Sequence, residues 1–327
     1  MTDTIVITSI YPPTEAVIQF AALINYQLIV VGDEKTPEDW SHGAIKFISI
    51  ADQSKLTFKL ARSLPRNHYS RKMIGYLTAI RDGARLIIDT DDDNIPKNDW
   101  HFPSLEGDFD TLDAPGFVNI YQLFTDQKIW PRGLPLKLIS QQHILTDNII
   151  NKAVKVGVWQ GLADEDPDVD AIYRLTSDTP CYFDERHPVV LAKNTISPFN
   201  SQNTLFRSEL FALLYLPTFV TFRFTDILRG LVAQPIMWLY GYSLGFTNAT
   251  VVQKRNPHDY MKDFISEIPM YQHCDSIISI VTSVIKKEFS IESNLLHAYQ
   301  ELQRHKIVSA EELVTLQDWI DDLQLLR

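Results

Sequence analysis

Leu86-Ile87-Ile88-Asp89-Thr90-Asp91-Asp92-Asp93-Asn94-Ile95-Pro96 is the stretch on which the reading of this chain turns. Leu86 to Ile88 is continuous and apolar, the pattern of a strand covered on both faces. Four carboxylates then fall within five positions, 89 to 93. They repel one another, so their placement against a buried strand is costly unless a cation or hydrogen-bond donors compensate. Open α/β sheets bind ligands beyond the carboxyl ends of their strands, where this cluster falls. In an extended segment alternate residues point the same way, so Asp91 and Asp93 are expected to converge on one ion. Hard oxygen ligands suit Mg²⁺ or Mn²⁺, and such an ion would also hold a diphosphate.

Competing readings fit less well. A calcium-binding EF-hand loop starting at Asp89 needs Gly at its sixth position and Glu at its twelfth, where this chain has Asn94 and Trp100. A phosphatase of the haloacid-dehalogenase type would put Asp93 where Thr or Val belongs, and its motif usually follows the first strand. A solvated acidic loop seldom abuts so apolar a strand.

Upstream, two periods alternate. Ile5 to Ile10 is a β-branched run, followed by Pro12-Pro13 and Thr14, a candidate helix N-cap for Val17, Phe20, Ala21 and Ile24 at helical spacing. Leu28–Val31 and Phe47–Ile50 read as the second and third strands. Ser70 to Arg81 reads as a helix with Met73, Leu77 and Ile80 on one face and Arg71, Lys72 and Arg81 elsewhere, ended by Gly83. Leu86–Ile88 is the fourth strand. Strands alternating with helices predict an α/β/α sandwich with a mostly parallel central sheet. Downstream, residues 100 to 205 mix Pro, Asp and short apolar runs with no clear topology. From about 276 the chain turns helical, and Ser309-Ala310-Glu311-Glu312 has the form of a capping box.

With 327 residues the chain holds about two ordinary domain-lengths. Hydrophobic content of 45% and 22% charge mark a folded protein with a real core. A net charge of -11 argues against gripping nucleic acid by bulk electrostatics. Two cysteines, Cys181 and Cys274, make neither a disulfide framework nor a zinc site, and read as buried thiols in a reducing compartment. Gly230 to Gln253 is charge-free but carries Gln234, Pro235, Gly241 and Asn248, too much polarity for a lipid-spanning helix. The expectation is a soluble, cytoplasmic chain with no transmembrane segment.

An acidic D-x-D signature closing the fourth strand of an N-terminal α/β domain resembles a nucleotide-sugar glycosyltransferase of the GT-A, Rossmann-like fold. More specifically, the chain is similar to the STELLO-like glycosyltransferase family. The matching stretches are Val31-Gly32-Asp33-Glu34-Lys35-Thr36-Pro37, Tyr69-Ser70-Arg71-Lys72 with Gly75-Tyr76-Leu77, the run at 89–94, and Asp166-Pro167-Asp168-Val169-Asp170-Ala171-Ile172-Tyr173-Arg174-Leu175-Thr176. They span about residues 5 to 275, with the C-terminal helices outside the likeness. The resemblance implies a glycosyltransferase domain over 1–275, with a nucleotide-binding half at 1–100 and an acceptor-side half at 101–275. Residues 276–327 would form a helical C-terminal extension, free for packing or homo-oligomer contact.

It also implies a donor nucleotide sugar, a uridine diphosphate sugar by analogy with the fold, and a glycan or other hydroxyl acceptor, as in polysaccharide synthesis. Thr8 to Tyr11 would offer backbone groups and a stacking ring to the base. Asp33 would meet base or ribose, unless it is a simple turn aspartate. Arg71 and Lys72, at a helix start, suit a diphosphate, or else form a surface charge pair. Asp91 and Asp93 would hold the metal, with Asp89 and Asp92 contacting ribose or supporting the site. His258 would be a third ligand, as a histidine is in several GT-A enzymes. Asn200, Gln202 and Asn203 are neutral donors and acceptors suited to sugar hydroxyls, or else a polar loop. The acidic run holding Asp166 and Asp168 would shape the sugar pocket together with Arg223, or else be a solvated loop. Asp226, set between Arg223 and Arg229, would be the catalytic base or a buried structural ion pair; two arginines would weaken it as a base.

Two alternatives stay open: a nucleotidyltransferase or sugar-nucleotide mutase, and a non-catalytic sugar- or partner-binding protein. The former usually carries a Gly-rich loop after the first strand, where this chain has Tyr11-Pro12-Pro13.

Overall fold

The computed structural model describes residues 3–43, 45–141, 146–177, 179–254 and 259–326. Within them β1 (Asp3–Thr8), β2 (Tyr26–Val31), β3 (Lys46–Ile48) and β4 (Leu86–Thr90) form a parallel unit in the order β3-β2-β1-β4. Side chains alternate across it. Val6, Ile29, Val31 and Ile87 enter one hydrophobic core, and Ile5, Ile7, Val30 and Ile88 enter another on the opposite face. Both faces are therefore covered, as the continuous apolar runs require.

Local signals place the connecting helices. Thr14 caps the helix Glu15–Ala21, its hydroxyl accepting from Val17 N at 3.3 Å. Ile24 falls beyond that helix and is 96% exposed. The helix Lys72–Arg81 follows one tighter turn, Tyr69–Arg71, and ends at Gly83 with φ +83°. It crosses β1 and β2 so closely that a Cβ at Gly75 would lie 2.5 Å from Val6 Cγ1. The expected one-faced amphipathicity is corrected here: Lys72 through Ala79 are all buried.

The remaining strands are β5 (Asn94–Pro96), β6 (Glu106–Leu112), β7 (Gly116–Phe117), β8 (Ile149–Asp164), β9 (Val189–Leu191), β10 (Thr195–Ile196), β11 (Asn203–Arg207) and β12 (Ser243–Gln253). β11 inserts between β4 and β8, antiparallel to both. β8 is 16 residues long and pairs with β6 through its first half and with β12 through its second. β9 joins β6 to β12 and closes that circuit. The expectation of an α/β protein holds, but the mostly parallel sheet does not. Of ten pairings in the ten-stranded sheet, five are parallel and five antiparallel. The first four strands pair in parallel, and the antiparallel pairings come from the later strands β5, β6, β9 and β11, which join beside the parallel pairs β6–β9 and β8–β12.

The charge-free segment at 230–253 divides between the buried helix Thr225–Leu239 and β12. No helix among the described residues is long and apolar enough to cross a membrane. The C-terminal helices Ile291–Arg304 and Ala310–Leu325 share one core with the sheet, through Leu295, Leu302, Leu316 and Trp319. The expected boundary at 275/276 falls inside the helix Tyr260–Thr282. Ser309 makes no capping hydrogen bond, so the capping-box reading is corrected. Glu312 turns inward, accepting from Thr218 N at 3.0 Å, Phe219 N at 2.7 Å and the Tyr215 hydroxyl.

Candidate functional site

The carboxyl ends of β1, β2 and β4 open onto a cleft of about 350 Å³. Asp91 to Asp93 lie at its centre, but in a turn: Asn94 N donates to Asp91 O at 3.4 Å and β5 begins at once. The expected alternation of an extended segment is replaced by a bend that brings all three carboxylates to the cleft. Thr14 anchors the bend, its hydroxyl donating to Asp92 O at 2.6 Å, and the Ser9 hydroxyl donates to the Asp92 carboxylate.

Asp89 lies inside β4, wholly buried, paired with Lys72 Nζ at 2.7 Å and Arg229 Nη1 at 2.7 Å. Burial would raise this carboxyl, but the two cations outweigh burial and hold it below its ordinary value. Lys72 Nζ also lies 2.8 Å from Asp91 Oδ1, which takes the Tyr69 hydroxyl at 3.1 Å as well. Lys72 is thus a built-in cation beneath the acidic turn. The expected diphosphate role for Lys72 and ribose role for Asp89 are corrected, because neither side chain reaches solvent. Arg71 lines the cleft, yet its guanidinium is held by Gln53 Oε1 at 2.8 Å and Leu64 O at 3.0 Å. It braces the 64–71 loop.

Asp91 and Asp92 behave differently from Asp89. Burial raises Asp91 even beside Lys72, and pushes Asp92 up to about 6. Burial therefore disfavours charge on both of these carboxyls.

At the β1–β2 end, Thr8, Tyr11 and Asp33 line the cleft, with Tyr11 43% exposed. Asp33 Oδ1 accepts from Glu34 N at 2.8 Å and Oδ2 from His68 N at 3.0 Å, one bond to each oxygen. Ser70 N donates to His68 Nδ1 at 3.1 Å, which leaves the proton of the neutral ring on Nε2; burial lowers this imidazole's pKa and favours that neutral form.

On the opposite side, Asp168 and Asp226 are joined by a residue the sequence did not single out. Arg132 Nε and Nη2 donate to Asp168 at 2.7 and 2.8 Å, and Nη2 donates to both Asp226 oxygens at 3.0 Å. Burial opposes the charge on Arg132, but the two carboxylates hold its pKa well above the ordinary value. Asp226 also accepts from Ser201 N at 3.2 Å and Ile227 N at 3.0 Å. Three donors, Arg132 Nη2, Ser201 N and Ile227 N, thus hold the Asp226 carboxylate in place at the cleft wall. Of the two expected roles, base or buried ion pair, the contacts show the ion pair, with Arg132 as its cation. Of its expected arginine neighbours, Arg223 lines the cleft as expected but pairs with Glu267 at 2.9 Å, and Arg229 pairs with Asp89.

Asn200 and Gln202 line the cleft within a continuous relay. Gln253 Nε2 donates to Asp93 Oδ2 at 3.1 Å, Gln202 Nε2 donates to Gln253 Oε1, Gln202 N donates to Asn200 Oδ1 at 2.9 Å, and Asn200 Nδ2 donates to Asp168 Oδ2 at 2.8 Å. Asn203 and Asp166 are corrected. Asn203 is wholly buried between Trp100 Nε1 and Thr250 Oγ1, and Asp166 pairs with Arg174 away from the cleft. His258 lies outside the described residues. Among the described residues no group of three His, Cys, Asp or Glu side chains is arranged to hold a metal.

Arg132 and Lys35 also line the cleft without having been expected there, and Phe222 joins them. Arg132 had one weak signal, a charge inside Trp130-Pro131-Arg132-Gly133, where Gly133 takes φ +92°. A side chain at Gly133 would meet Ile227 Cγ2 at 2.5 Å, so that loop is pressed against the helix carrying Asp226.

The family model described as STELLO glycosyltransferases matches residues 223–327. Two Arabidopsis thaliana proteins align with most of the chain. "Probable glycosyltransferase STELLO1" is 27% identical over 334 residues, covering 95% of this chain, and "Probable glycosyltransferase STELLO2" is 32% identical over 261 residues, covering 72%. This is a STELLO-like chain. It spans 43% and 34% of the lengths of those two relatives. The STELLO-like match takes in the C-terminal helices, which corrects the expectation that they lie outside the likeness. It also takes in Arg223, Asp226 and Arg229. A solved mycobacterial protein aligns over 84% of this chain and 75% of its own, at 10% identity and a TM-score of 0.41, too distant to bear on the fold.

Proposed function

We propose that this chain is a metal-dependent glycosyltransferase, moving a sugar from a nucleoside diphosphate sugar, uridine diphosphate by analogy with the GT-A fold, to a hydroxyl acceptor. One observation carries the reading: a turn of three carboxylates at a strand tip in a cleft, two of them raised by burial. Such a site gains from a hard divalent cation. The donor set fits Mn²⁺ or Mg²⁺ in chemistry, and Asp91 and Asp93 would hold the ion, with diphosphate and water completing its ligands. The ion would supply positive charge to the leaving diphosphate.

The chain's own residues do the rest. Asp33 and Tyr11 meet ribose and base. Lys35 is exposed at the cleft and has no ion pair among the described residues, which suits it to the diphosphate in place of Arg71 and Lys72. The Asp168–Arg132–Asp226 unit, with Asn200 and Gln202, presents fixed polar groups to the acceptor.

Thermal unfolding with uridine diphosphate, with and without Mn²⁺, tests the reading. The pair together should raise the melting temperature by several degrees, and Asp93→Ala should lose that shift while keeping its own fold by circular dichroism. A nucleotide shift that is equal without Mn²⁺ and equal in Asp93→Ala rejects it.

A further inference from the structure

Phe222 stands 58% exposed on the rim of the cleft. Its neighbours hold it there. Thr221 Oγ1 donates to Ser266 O, Arg223 N donates to Ser266 Oγ at 3.2 Å, Arg223 Nε donates to Glu267 at 2.9 Å, and Phe224 is buried. The ring packs edge-on against Tyr69, with centroids 5.6 Å apart and planes at 81°, and the Tyr69 hydroxyl reaches Asp91. A phenyl ring is therefore presented to water in one pose between the acidic turn and Asp226. Exposed apolar surface is unfavourable, and its position inside a cleft points to a ligand as its cover.

The surroundings define that ligand. Asp168, Asn200 and Gln202, tied to one another and to Arg132 and Gln253, line the same cleft with fixed polar atoms, so a cover apolar on one face and rich in hydroxyls at its edge suits it. A pyranose has this form: its C–H face lies on an aromatic ring while its hydroxyls meet amides and carboxylates. A nucleobase also stacks, but Tyr11 serves that need from the far flank of β4, beside Asp33. Phe222 belongs to the β11 side, since Asp226, four residues on, accepts from Ser201 N just before β11.

We propose that Phe222 is the stacking platform for a pyranose ring of the acceptor, so that the acceptor is a carbohydrate rather than a protein side chain or a simple alcohol. The proposal rests on the glycosyltransferase reading for the word acceptor, but the sugar contact can be tested by itself. Saturation-transfer NMR on the full chain would use hexasaccharides of β-1,4-glucan, β-1,4-xylan, β-1,4-mannan and α-1,4-glucan as probes, alongside uridine diphosphate with Mn²⁺. At least one hexasaccharide should bind the native chain and Phe222→Trp, and bind Phe222→Ala at least tenfold more weakly, with the nucleotide melting shift unchanged in all three. Equal hexasaccharide binding to Phe222→Ala, no binding of any hexasaccharide to the native chain, or loss of the nucleotide shift in Phe222→Ala would overturn it. Hexasaccharide binding that depends on Phe222 with no nucleotide shift in the native chain would sink the transferase reading and leave the sugar platform standing.

Discussion

Lys72 Nζ lies 2.7 Å from Asp89 Oδ1, and both side chains are wholly shielded from solvent. One comes from the first turn of a helix and the other from the carboxyl end of a central strand, so the pair joins layers as well as charges. Removing one partner of a buried ion pair leaves an uncompensated charge. Lys72→Met should cost about 3–5 kcal/mol in urea unfolding. A loss below about 1 kcal/mol would show that the ammonium is not needed by the fold.

Acidity offers a second check. Burial holds Asp92 and Asp170 up at about 6, each with hydrogen bonds opposing the rise. In the unfolded chain such groups ionise near their ordinary 3.8. Between those two values the folded form keeps its protons while the unfolded form releases them. Each group therefore lowers stability as pH rises from about 4 to about 6, with no further change above. Asp170 caps the helix Ala171–Thr176, a task Asn also performs. In metal-free buffer, Asp170→Asn should gain on the native chain by roughly 1–3 kcal/mol over that interval, read by urea unfolding at fixed pH steps. A constant difference between the two chains from pH 4 to 7 would refute the assignment.

Lys35 separates ligand binding from folding. Its ammonium is exposed and makes no ion pair among the described residues, so Lys35→Ala should leave stability within about 0.5 kcal/mol of the native value. Calorimetric titration with uridine diphosphate and Mn²⁺ should show about tenfold weaker binding, consistent with the loss of one charge-assisted contact. An unchanged affinity would remove Lys35 from the site.

Arg132 tests shape as well as charge. Lysine keeps the charge but cannot reproduce a fork that spans Asp168 and Asp226. Arg132→Lys should cost about 2–4 kcal/mol, because buried acceptors on both carboxylates lose donors. A melting temperature within a degree of the native chain would contradict this.

Glu312 tests the role of the C-terminal helices. Its carboxylate takes the backbone N–H groups of Thr218 and Phe219, more than ninety positions earlier in the chain. Glu312→Ala should cost about 2–4 kcal/mol and speed amide exchange at Thr218 and Phe219. Native-like exchange there would mean that the loop holds its form without the helix.

Much of the first ninety residues was legible because its signals are local. Thr14 caps its helix because its hydroxyl meets an N–H three residues on, and Gly83 stops its helix because it alone tolerates the required φ. The site was legible in its residue types more than in its roles. Asp226 between Arg223 and Arg229 invited a local reading, yet its cation is Arg132, 94 positions away. The Ser309–Glu312 pattern failed in the same way, because Glu312 found stronger partners across the core than the cap could offer.

By itself the sequence determined the four parallel strands, the cap of the helix after β1 and the presence of an acidic cluster at the tip of β4. Backbone preference and the alternation of burial act between near neighbours, and a linear string carries that information. Only the tertiary structure decided which cation answers each carboxylate, that β11 enters the sheet antiparallel, and that Phe222 faces the cleft. Ion pairing and strand pairing depend on distance in space. Arg229 and Asp89 are 140 positions apart in the chain and 2.7 Å apart in the fold.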